Sequence, residues 1–392
     1  MTTQTQLLVD KISTLTKGPG FSQDPDAQEH VSNLAKQLSI TLISAEDAAY
    51  ELAYYPIYAF AARIAVDLKL FNLLAASSKE VSAPYLADLT GASEELIIRV
   101  LRVLSALGFV QEAGECQWIA NRITTVMSTP AAQAAHKHKW DNCIGTMIKM
   151  PAYFREVGYQ PPTDPEKGPF QYAFNTNKSA FDYWQDHPEV YSNFNTFMHG
   201  KRASRPSWSE WWPVEEVIFN SMELDGNGLL LVDVGGSRGH DVLAFKNKFP
   251  SRGRLILEDL PAVIDDIVQL DKEIERVPYD FFTPQPIIGA RIYFFGMIFH
   301  DWSDEFCLKI LAQTVPAMKR GYSKLLIDDA FLPTNSCPAV LAGLDLAMMA
   351  MHAGKERSER QWRDMLHKAG LRVNKFWTYK GGASGLIETE LL

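Results

Sequence analysis

The sequence predicts an α/β protein in which a mostly parallel sheet is covered by helices and preceded by a mainly helical N-terminal domain. Two observations indicate this class. Short apolar strands alternate with helical segments from residue 229 onward, which is the pattern of a doubly wound sheet. The chain then ends in two extended segments around a glycine-rich turn, which predicts an antiparallel hairpin. We therefore expect a mixed sheet with a reversed edge strand.

Composition places the chain among folded, acidic proteins. The 392 residues carry 38 basic and 47 acidic side chains, which gives a formal charge of −9. A net negative charge does not attract nucleic acid or anionic lipid. The 4 cysteines are scattered, which argues against a zinc ribbon or a disulfide framework. The N-terminus lacks the pattern of a signal peptide, and no apolar stretch is long enough to span a bilayer. We expect a cytoplasmic protein without nucleic-acid or membrane partners.

Residues 1–125 are predicted to form the N-terminal domain. Residues 1–44 form a polar helical lead-in, and from Ala45 to Leu74 apolar residues recur at helical spacing and create a face that needs a partner. The order helix, turn, helix and β-ribbon follows, as in a winged helix. The predicted elements are a helix from Ser82, a turn over 90–93, a helix over 94–107, and wing strands at 109–110 and 117–119.

A winged helix raises the possibility of DNA binding. The would-be recognition helix, however, offers only Arg99 and Arg102 against Glu94 and Glu95. In an acidic protein this segment is better interpreted as a packing and dimer-forming module.

Residues 126–392 are predicted to form the second domain. Residues 126–222 are mostly helical, with a proline-rich loop over 160–169, and such a segment can line a substrate pocket. Residues 223–392 form the ligand-binding core and begin at a linker over 225–228. Strands are predicted at 229–234, 255–257, 292–295 and 324–327, and a final hairpin at 371–379 and 386–391 with its turn at 380–385.

A glycine-rich string follows the first predicted strand of the core and precedes a helix over 240–249. It contains Asp233, Gly235, Gly236 and Gly239. In a doubly wound sheet this turn is where a ligand meets strand ends and a helix N-terminus, and glycines let the backbone approach it. A glycine turn alone is also explained as a tight connection, so further residues are needed to identify a ligand.

The spacing of this string departs from the dinucleotide fingerprint, which would need glycine where Ser237 and His240 stand. The pattern that is present, D-x-G-x-x-x-G over Asp233, Gly235 and Gly239, suits S-adenosylmethionine. This ligand has no pyrophosphate, and its amino group can donate to Asp233. About twenty residues further, Glu258 and Asp259 end the next strand, the position from which a carboxylate reaches ribose hydroxyls.

A second string, Phe299-His300-Asp301-Trp302, lies between a predicted strand and the helix that begins near residue 304. An imidazole at the carboxyl end of a strand can act as a general base near neutral pH. The alternative is a helix-capping loop with a buried, satisfied histidine, and the string by itself leaves both interpretations open.

These ordered strings resemble the plant and fungal small-molecule O-methyltransferases of the caffeate and flavonoid type, which are S-adenosylmethionine-dependent enzymes of the class I fold. The similarity runs from about Ala45 to the C-terminus. It is carried by the glycine string and by the segments 99–104, 259–264, 280–282, 299–305, 329–333 and 354–358. It implies a Rossmann-like domain with a mixed seven-stranded sheet, a winged-helix dimerisation domain, a homodimer, and a reaction that yields S-adenosylhomocysteine without a metal.

The resemblance also implies roles for individual residues. The cofactor would lie against Asp233, Gly235, Gly236, Gly239, Asp259, Leu260, Asp280, Phe281 and Trp302, with Asp259 rather than Glu258 at the ribose and Asp280 and Phe281 at the adenine. His300 would take the proton of the acceptor hydroxyl. Asp329 and Glu356 would orient the ring and stabilise its protonated form, and Asp301 completes the catalytic set.

The acceptor site is predicted on helices that border the same crevice. Its candidate residues are His138, Phe194, Met198, Arg202, Met348 and Met351. Two other interpretations stay open at this point. A methionine cluster is often an adaptable part of a core, and the histidines of segment 134–138 suit a solvated helix face.

Three departures from the family pattern leave the reaction open. Ser237 replaces a common glycine, Gly296 stands where a basic residue is frequent, and Asp329 is one methylene shorter than the usual glutamate. His300 favours O-methyl transfer to an aromatic or polyketide-type metabolite.

The alternatives are a pericyclase or dehydratase that binds S-adenosylmethionine without transferring methyl, and a non-catalytic regulator. A magnesium-dependent type is disfavoured because adjacent strand residues, Asp328 and Asp329, point to opposite faces.

Overall fold

A computed structural model describes residues 3–203, 205–220, 228–379 and 384–392 of the chain. The chain divides into two compact units between Ser128 and Thr129, against a predicted boundary after residue 125. The predicted division at 222/223, the linker residues 225–227 and most of the hairpin turn, 380–383, lie outside the described residues. Within the described ranges, no helix combines the length and apolarity needed to cross a bilayer.

The first unit is mainly helical and contains a small sheet. Its helices are α1 (Thr3–Thr16), α2 (Pro25–Leu42), α3 (Ala45–Asp67), α4 (Leu70–Ala75), α5 (Ala83–Thr90), α6 (Glu94–Ala106) and α7 (Arg122–Met127). Its strands are β1 (Val81–Ser82), β2 (Gln111–Gly114) and β3 (Gln117–Ile119). Strands β2 and β3 form the antiparallel wing, which confirms the winged helix. The first wing strand was predicted at 109–110 but lies at Gln111–Gly114, because the Phe109 amide still donates to the Leu104 carbonyl at 2.8 Å and so closes the end of α6.

Helix α3 has two different surfaces. Ser44 caps its N-terminus by accepting a hydrogen bond from the Asp47 amide at 3.0 Å. The C-terminal half packs Ala65 into the core of the unit. In the N-terminal half, Leu52 is 66% exposed and Ile57 is 51% exposed. Only the second half of the predicted apolar face is therefore covered within this unit.

The second unit is a doubly wound domain. Its helices are α8 (Pro130–His138), α9 (Gly145–Glu156), α10 (Pro169–Phe174), α11 (Ala180–Gln185), α12 (Pro188–Ala203), α13 (Trp208–Trp211), α14 (His240–Lys248), α15 (Pro261–Asp265), α16 (Asp304–Thr314), α17 (Ala339–His352) and α18 (Glu359–Lys368). Its strands are β4 (Leu229–Val234), β5 (Arg254–Asp259), β6 (Ile274–Pro278), β7 (Ile292–Gly296), β8 (Lys324–Leu332), β9 (Arg357–Ser358), β10 (Leu371–Thr378) and β11 (Ser384–Leu391).

The sheet has the strand order β10-β11-β8-β7-β4-β5-β6, and the two-residue strand β9 pairs beside β8. Strands β4 to β8 are parallel, whereas β11 is antiparallel to both β8 and β10. The mixed sheet is thus confirmed, with the reversed strand one place inside the edge. Alternate residues of the strands enter two apolar clusters, with Val232 in one and Leu231 in the other, because helices cover both faces.

Candidate active site

A crevice for ligands is defined by the point where the strand order reverses. From β4 the chain moves outward through β5 and β6 and then returns to β7 on the other side of β4. Connections that leave neighbouring parallel strands in opposite directions open a crevice at the carboxyl ends of those strands. The glycine turn after β4 and the histidine turn after β7 both lie at this edge.

The glycine turn needs its small residues for two separate reasons. Gly235 and Gly239 adopt φ values of +69° and +77°, which other residues rarely adopt. A Cβ on Gly236 would lie 2.6 Å from Oδ2 of Asp233, so a larger residue would collide with that carboxylate. The Gly235 and Gly236 amides donate to the carbonyl of Glu258 at 2.8 and 3.1 Å, which fixes the turn against β5.

Asp233 offers an acceptor that the protein itself does not use. Its side chain is 1% exposed, and Oδ2 accepts a hydrogen bond from the Val242 amide at 3.2 Å. Oδ1 has no hydrogen-bond partner among the described residues. Burial raises the pKa of this carboxyl to about 7. Because an unpaired buried oxygen is costly, the site fits a ligand that brings a cationic donor, such as the amino group of S-adenosylmethionine.

Asp259 is positioned beside the same turn by two backbone amides. Its Oδ2 accepts from Ser237 at 2.7 Å and its Oδ1 from Leu260 at 2.8 Å. Glu258 instead has a fully buried side chain that accepts a hydrogen bond from Gln285 at 2.9 Å. Of the two acids, Asp259 is therefore the one open to a ligand, and Leu260 beside it is 43% exposed.

Aromatic side chains stand next to the glycine turn. A Cβ on Gly235 would lie 3.7 Å from the ring of Phe281. The Phe281 and Trp302 rings pack edge to face, with centroids 6.0 Å apart and an angle of 86°. Asp280 accepts a hydrogen bond from the Phe282 amide at 3.0 Å and so shapes the turn that presents Phe281. Phe281 is brought to the crevice, whereas Trp302 supports it from the side.

The histidine turn places three carboxylates around one imidazole. His300 is 5% exposed in a short 3-10 turn, Phe299–Asp301, that follows β7. Its Nδ1 lies 2.8 Å from Oε1 of Glu356 and 3.6 Å from Oδ1 of Asp329, and its Nε2 lies 3.6 Å from Oδ1 of Asp301. The four predicted catalytic residues therefore form one cluster, in which His300, Asp329 and Glu356 are buried and Asp301 is half-buried. His300 is buried and hydrogen-bonded to Glu356, as both interpretations of the string require.

The charges in this cluster shift the pKa values of its members. Burial by itself would lower the pKa of His300, but the carboxylates of Asp329, Asp301 and Glu356 together raise it to about 9. Burial raises the pKa of Asp301 to about 6, and it also raises the pKa of Asp329. Both oxygens of Asp329 are without a hydrogen-bond partner in the described part of the chain. The surrounding acids therefore favour the protonated form of the imidazole.

Arg357 is a residue that the sequence analysis did not assign. Its side chain is fully buried and donates from Nη1 to the carbonyl of Phe299 at 2.9 Å and from Nη2 to that of Trp302 at 2.7 Å. Nε donates to Asp304 at 2.8 Å. Arg357 thus ties both ends of the histidine turn to α16. The only sequence signal was its position directly after Glu356.

Aromatic rings form a wall beside the cluster. His138 is 2% exposed, which excludes the solvated-face interpretation for this residue, and its ring lies 4.8 Å from that of Trp184 and 5.4 Å from that of Phe194. Burial, assisted by the charge of Lys139, lowers the pKa of His138 to about 3. His352, also missed by the sequence analysis, has its Nε2 3.8 Å from Oδ1 of Asp301.

The predicted methionines divide between this wall and its surroundings. Met348 and Met351 are buried at 5% and 2% exposure and share one apolar cluster with Trp184 and Phe194. Met198 is half-buried on α12. The cluster therefore contains both the predicted aromatic wall and two methionines.

Arg202 contacts the ends of β7 and α14 rather than the aromatic wall. Its guanidinium forms an ion pair with Asp241, in the first turn of α14, and Nη2 lies 3.4 Å from the carbonyl of Gly296. Three residues further, Arg205 donates to Oδ2 of Asp328 at 2.7 Å. Asp328 and Asp329 have different partners, as expected for adjacent strand residues.

Comparisons with known proteins identify the class. Residues 160–372 match the model of the O-methyltransferase domain, and residues 50–133 match that of the O-methyltransferase dimerisation domain. The chain belongs to the O-methyltransferase family, and its cofactor is S-adenosylmethionine.

Particular relatives are similar over nearly the whole chain. The O-methyltransferase penC of Penicillium thymicola is 37% identical over 97% of this chain and 96% of its own. The O-methyltransferase asqD of Emericella nidulans is 39% identical over 85% of this chain and 86% of its own. Among solved structures, LepI in complex with SAM superposes with a TM-score of 0.88 at 30% identity, over 98% of this chain and 99% of LepI. A structure described as a pericyclic reaction enzyme gives a TM-score of 0.88 at 29% identity, over 99% and 100% of the two chains.

Proposed function

We propose that the protein transfers the methyl group of S-adenosylmethionine to a hydroxyl of a small aromatic or polyketide-type acceptor, with His300 as the general base. The observation that carries this proposal is the 2.8 Å contact between Nδ1 of His300 and Glu356. This contact fixes the plane of the ring and occupies one nitrogen. Nε2 is then the nitrogen that receives the proton of the acceptor.

The raised pKa of His300 suits an acceptor that is a weak acid. When bound, S-adenosylmethionine supplies an electrophilic methyl carbon. A phenol has a pKa of ~10, so proton transfer to an ordinary histidine of pKa ~6.5 is uphill by about 5 kcal/mol. With a pKa of about 9, His300 lies much closer to the phenol, so the same proton transfer is far less uphill. The surrounding acids make His300 a stronger base because they stabilise its protonated form.

The acids have separate positions in this chemistry. Glu356 orients the ring through Nδ1, and Asp329 lies on the same side at 3.6 Å, so both stabilise the imidazolium that forms when the acceptor loses its proton. Asp301 lies near Nε2 at 3.6 Å, on the side where the acceptor would approach. We assign Asp301 to positioning the acceptor hydroxyl.

The aromatic wall supports a flat, largely apolar acceptor. His138 stays neutral because its pKa is lowered by burial and by the charge of Lys139; its ring packs on that of Phe194, which shares an apolar cluster with Met348. Such a surface favours ring stacking and burial of apolar area over recognition of charge. We therefore assign His138, Phe194, Met198, Met348 and Met351 to the acceptor site.

A homodimer is also part of this proposal. The N-terminal half of α3 leaves Tyr54 and Ile57 exposed at 52% and 51%, together with Leu52 at 66%. Contiguous exposed apolar surface of this kind marks an interaction site. It lies within residues 50–133, which match the dimerisation domain model.

The test is a methyl-transfer assay with purified protein, S-adenosylmethionine and a panel of hydroxylated aromatic acceptors. We expect methylated product and S-adenosylhomocysteine in equal amounts. His300→Gln should retain cofactor binding by calorimetry and lose at least about 100-fold in kcat/KM. Methyl transfer that survives this substitution unchanged would remove His300 from the mechanism.

A second candidate function is a pericyclic or dehydration reaction. It is favoured by one specific observation, the structural similarity to the pericyclic reaction enzyme at a TM-score of 0.88. In that case, the acceptor would be converted while the amount of S-adenosylmethionine stays constant. Quantifying both S-adenosylmethionine and S-adenosylhomocysteine during turnover separates the two reactions.

A further inference from the structure

Two lysines without a role in the proposed reaction lie at the edge of the aromatic wall. Lys139 directly follows His138 and begins a short π-helical segment, Lys139–Ile144, that continues α8. Its Nζ lies 5.9 Å from the centre of the Phe197 ring, and this ring lies 6.0 Å from that of His138, with an angle of 29° between the two rings. The Lys139 ammonium group is therefore next to the surface on which a flat acceptor would stack.

Lys201 approaches the same place from the other helix. Phe197 and Lys201 are four residues apart on α12 and so share one face of that helix, the face that packs against His138. Burial lowers the pKa of Lys201, and the charges of Arg205 and Lys139 lower it further. The two lysines are thus close enough to repel each other, and an anion between them would relieve this repulsion.

The Lys139 side chain is able to bind such an anion. It is half-buried, and it makes no hydrogen bond or ion pair with any other residue that the structure describes. Burial lowers the pKa of this ammonium group, because removing a cation from water without giving it an acceptor is costly. The position therefore suits a ligand that brings a negatively charged oxygen.

Both lysines also lie near the candidate base. Burial raises the pKa of Asp301, whereas the charges of His300 and of the two lysines lower it. Asp301 is 3.6 Å from Nε2 of His300, the nitrogen assigned to the acceptor proton. An acceptor that reaches His300 with its hydroxyl can therefore reach the lysines with a second group.

We propose that Lys139 and Lys201 bind an anionic group of the acceptor, so that hydroxylated aromatic acids are preferred over their neutral counterparts. The ring of the acceptor stacks on the wall, its carboxylate points towards Lys139, and its hydroxyl points towards Nε2 of His300. Lysine recognises the carboxylate as a point charge, so the site selects for charge more than for shape. This assignment rests on the proposed function, to which it adds the charge of the acceptor.

The other possible role for the two lysines is to neutralise Asp301. In that role, their removal would change the ionisation of Asp301 whatever the acceptor carries, so an acid and its ester would be affected alike. A comparison of acids with their esters therefore separates the two roles.

The experiment measures the binding of matched probes to the full chain by calorimetry, with saturating S-adenosylhomocysteine. The probes are gallate, orsellinate and hydroxynaphthoate, each beside its methyl ester. The ester keeps the ring and the hydroxyls of the acid and lacks only its charge. The wild type should bind the acids at least about tenfold more tightly than the esters.

Variants assign this preference to the two lysines. Lys139→Met and Lys201→Met keep the unbranched side chain without its charge, and each should remove most of the preference by weakening only the acids. Lys139→Arg keeps a positive charge and should retain the preference. The matched control is Lys137→Met on α8, because Lys137 is paired at 3.3 Å with Glu189 in the first turn of α12. It should bind acids and esters like the wild type.

Several outcomes would overturn the assignment. In the wild type, they are a failure of every acid to bind and an affinity for the acids that does not exceed that for the esters. In the two methionine variants, they are an unchanged preference and an equal loss for acids and esters, which is expected if the lysines only neutralise Asp301. Thermal unfolding of each variant shows whether the fold is intact, and the wild-type comparison depends on no variant.

Failure of the assignment is distinct from failure of the proposed function. A preference for acids in binding without any methyl transfer would support the lysine site and contradict methyl transfer as the reaction. Methyl transfer to acids and esters with equal affinity and equal kcat/KM would support the proposed function and contradict the lysine site.

Discussion

The Nδ1 atom of His300 lies 2.8 Å from Oε1 of Glu356, and these residues are only 5% and 3% exposed. Glu356 is itself fixed, because its backbone amide donates to Oδ1 of Asp345 at 2.8 Å. The next residue, Arg357, holds the turn that carries His300. One short segment after α17 therefore sets both the orientation and the charge of the candidate base.

Replacing Glu356 by glutamine should separate orientation from charge. Glu356→Gln keeps an oxygen that can accept from Nδ1 but removes a negative charge that stabilises the imidazolium. We expect kcat/KM at high pH to fall by about 100-fold, with the affinity for S-adenosylmethionine unchanged. The control is Glu359→Gln, an exposed acid in the first turn of α18, which should behave like the wild type. Equal effects of the two substitutions would argue against a catalytic role for Glu356.

The pH dependence follows from the pKa of His300. A general base works when it is deprotonated, and here deprotonation occurs at about pH 9. With an acceptor that ionises above pH 10, log kcat/KM should therefore rise with pH from 6 to about 9 and then level off. Glu356→Gln removes a charge that raises this pKa, so its rising limb should move to lower pH. Steady-state kinetics between pH 6 and 10 measure this, and a wild-type profile that is flat above pH 7 would contradict it.

Local patterns in the sequence predict most of the fold but not all of its strands. Strand β4 is apolar throughout and all its residues are buried, so the pattern and the structure agree. Strand β6 was missed because its middle residues, Glu275 and Arg276, are exposed at the edge of the sheet and break the apolar run. The reversed strand was predicted at the edge, but its pairing with β8 depends on contacts between distant segments.

In the candidate site, too, features that follow from local sequence were predicted, whereas contacts between distant segments were not. Glycines and acids next to strand ends are visible in the sequence because their positions follow from the strand itself. Arg357 and His352 act through side chains that reach other elements, and a single sequence does not record such contacts. Arg202 was placed in the acceptor site because it lies on the substrate-lining helix, although its guanidinium reaches the other side of the crevice.

Arg357 should be a positioning residue rather than a catalytic one. Arg357→Lys keeps the charge but cannot reproduce the fork that joins the Phe299 and Trp302 carbonyls to Asp304. We expect the free energy of unfolding to drop by about 2 to 4 kcal/mol, together with a fall in kcat. Urea unfolding measures the first effect. Arg360→Lys, at an exposed position on α18, is the control and should change neither quantity.

Gly236 is the position at which a single methyl group should disrupt cofactor binding. In Gly236→Ala, the new Cβ would lie 2.6 Å from Oδ2 of Asp233 and 2.5 Å from Cδ1 of Leu257, so the turn or the carboxylate must move. Because Oδ1 of Asp233 is the unpaired acceptor in the crevice, its displacement should weaken S-adenosylmethionine binding at least about tenfold.

The matched control for this substitution is Gly343→Ala on α17. A Cβ at Gly343 meets no heavy atom within 4 Å, and alanine is favoured over glycine inside a helix, so this variant should bind the cofactor normally and gain up to about 1 kcal/mol in stability. Calorimetry with S-adenosylhomocysteine measures both variants without requiring an acceptor. Normal binding by Gly236→Ala would mean that the cofactor does not depend on the position of the Asp233 carboxylate, and the interpretation of the glycine turn as its cradle would fail.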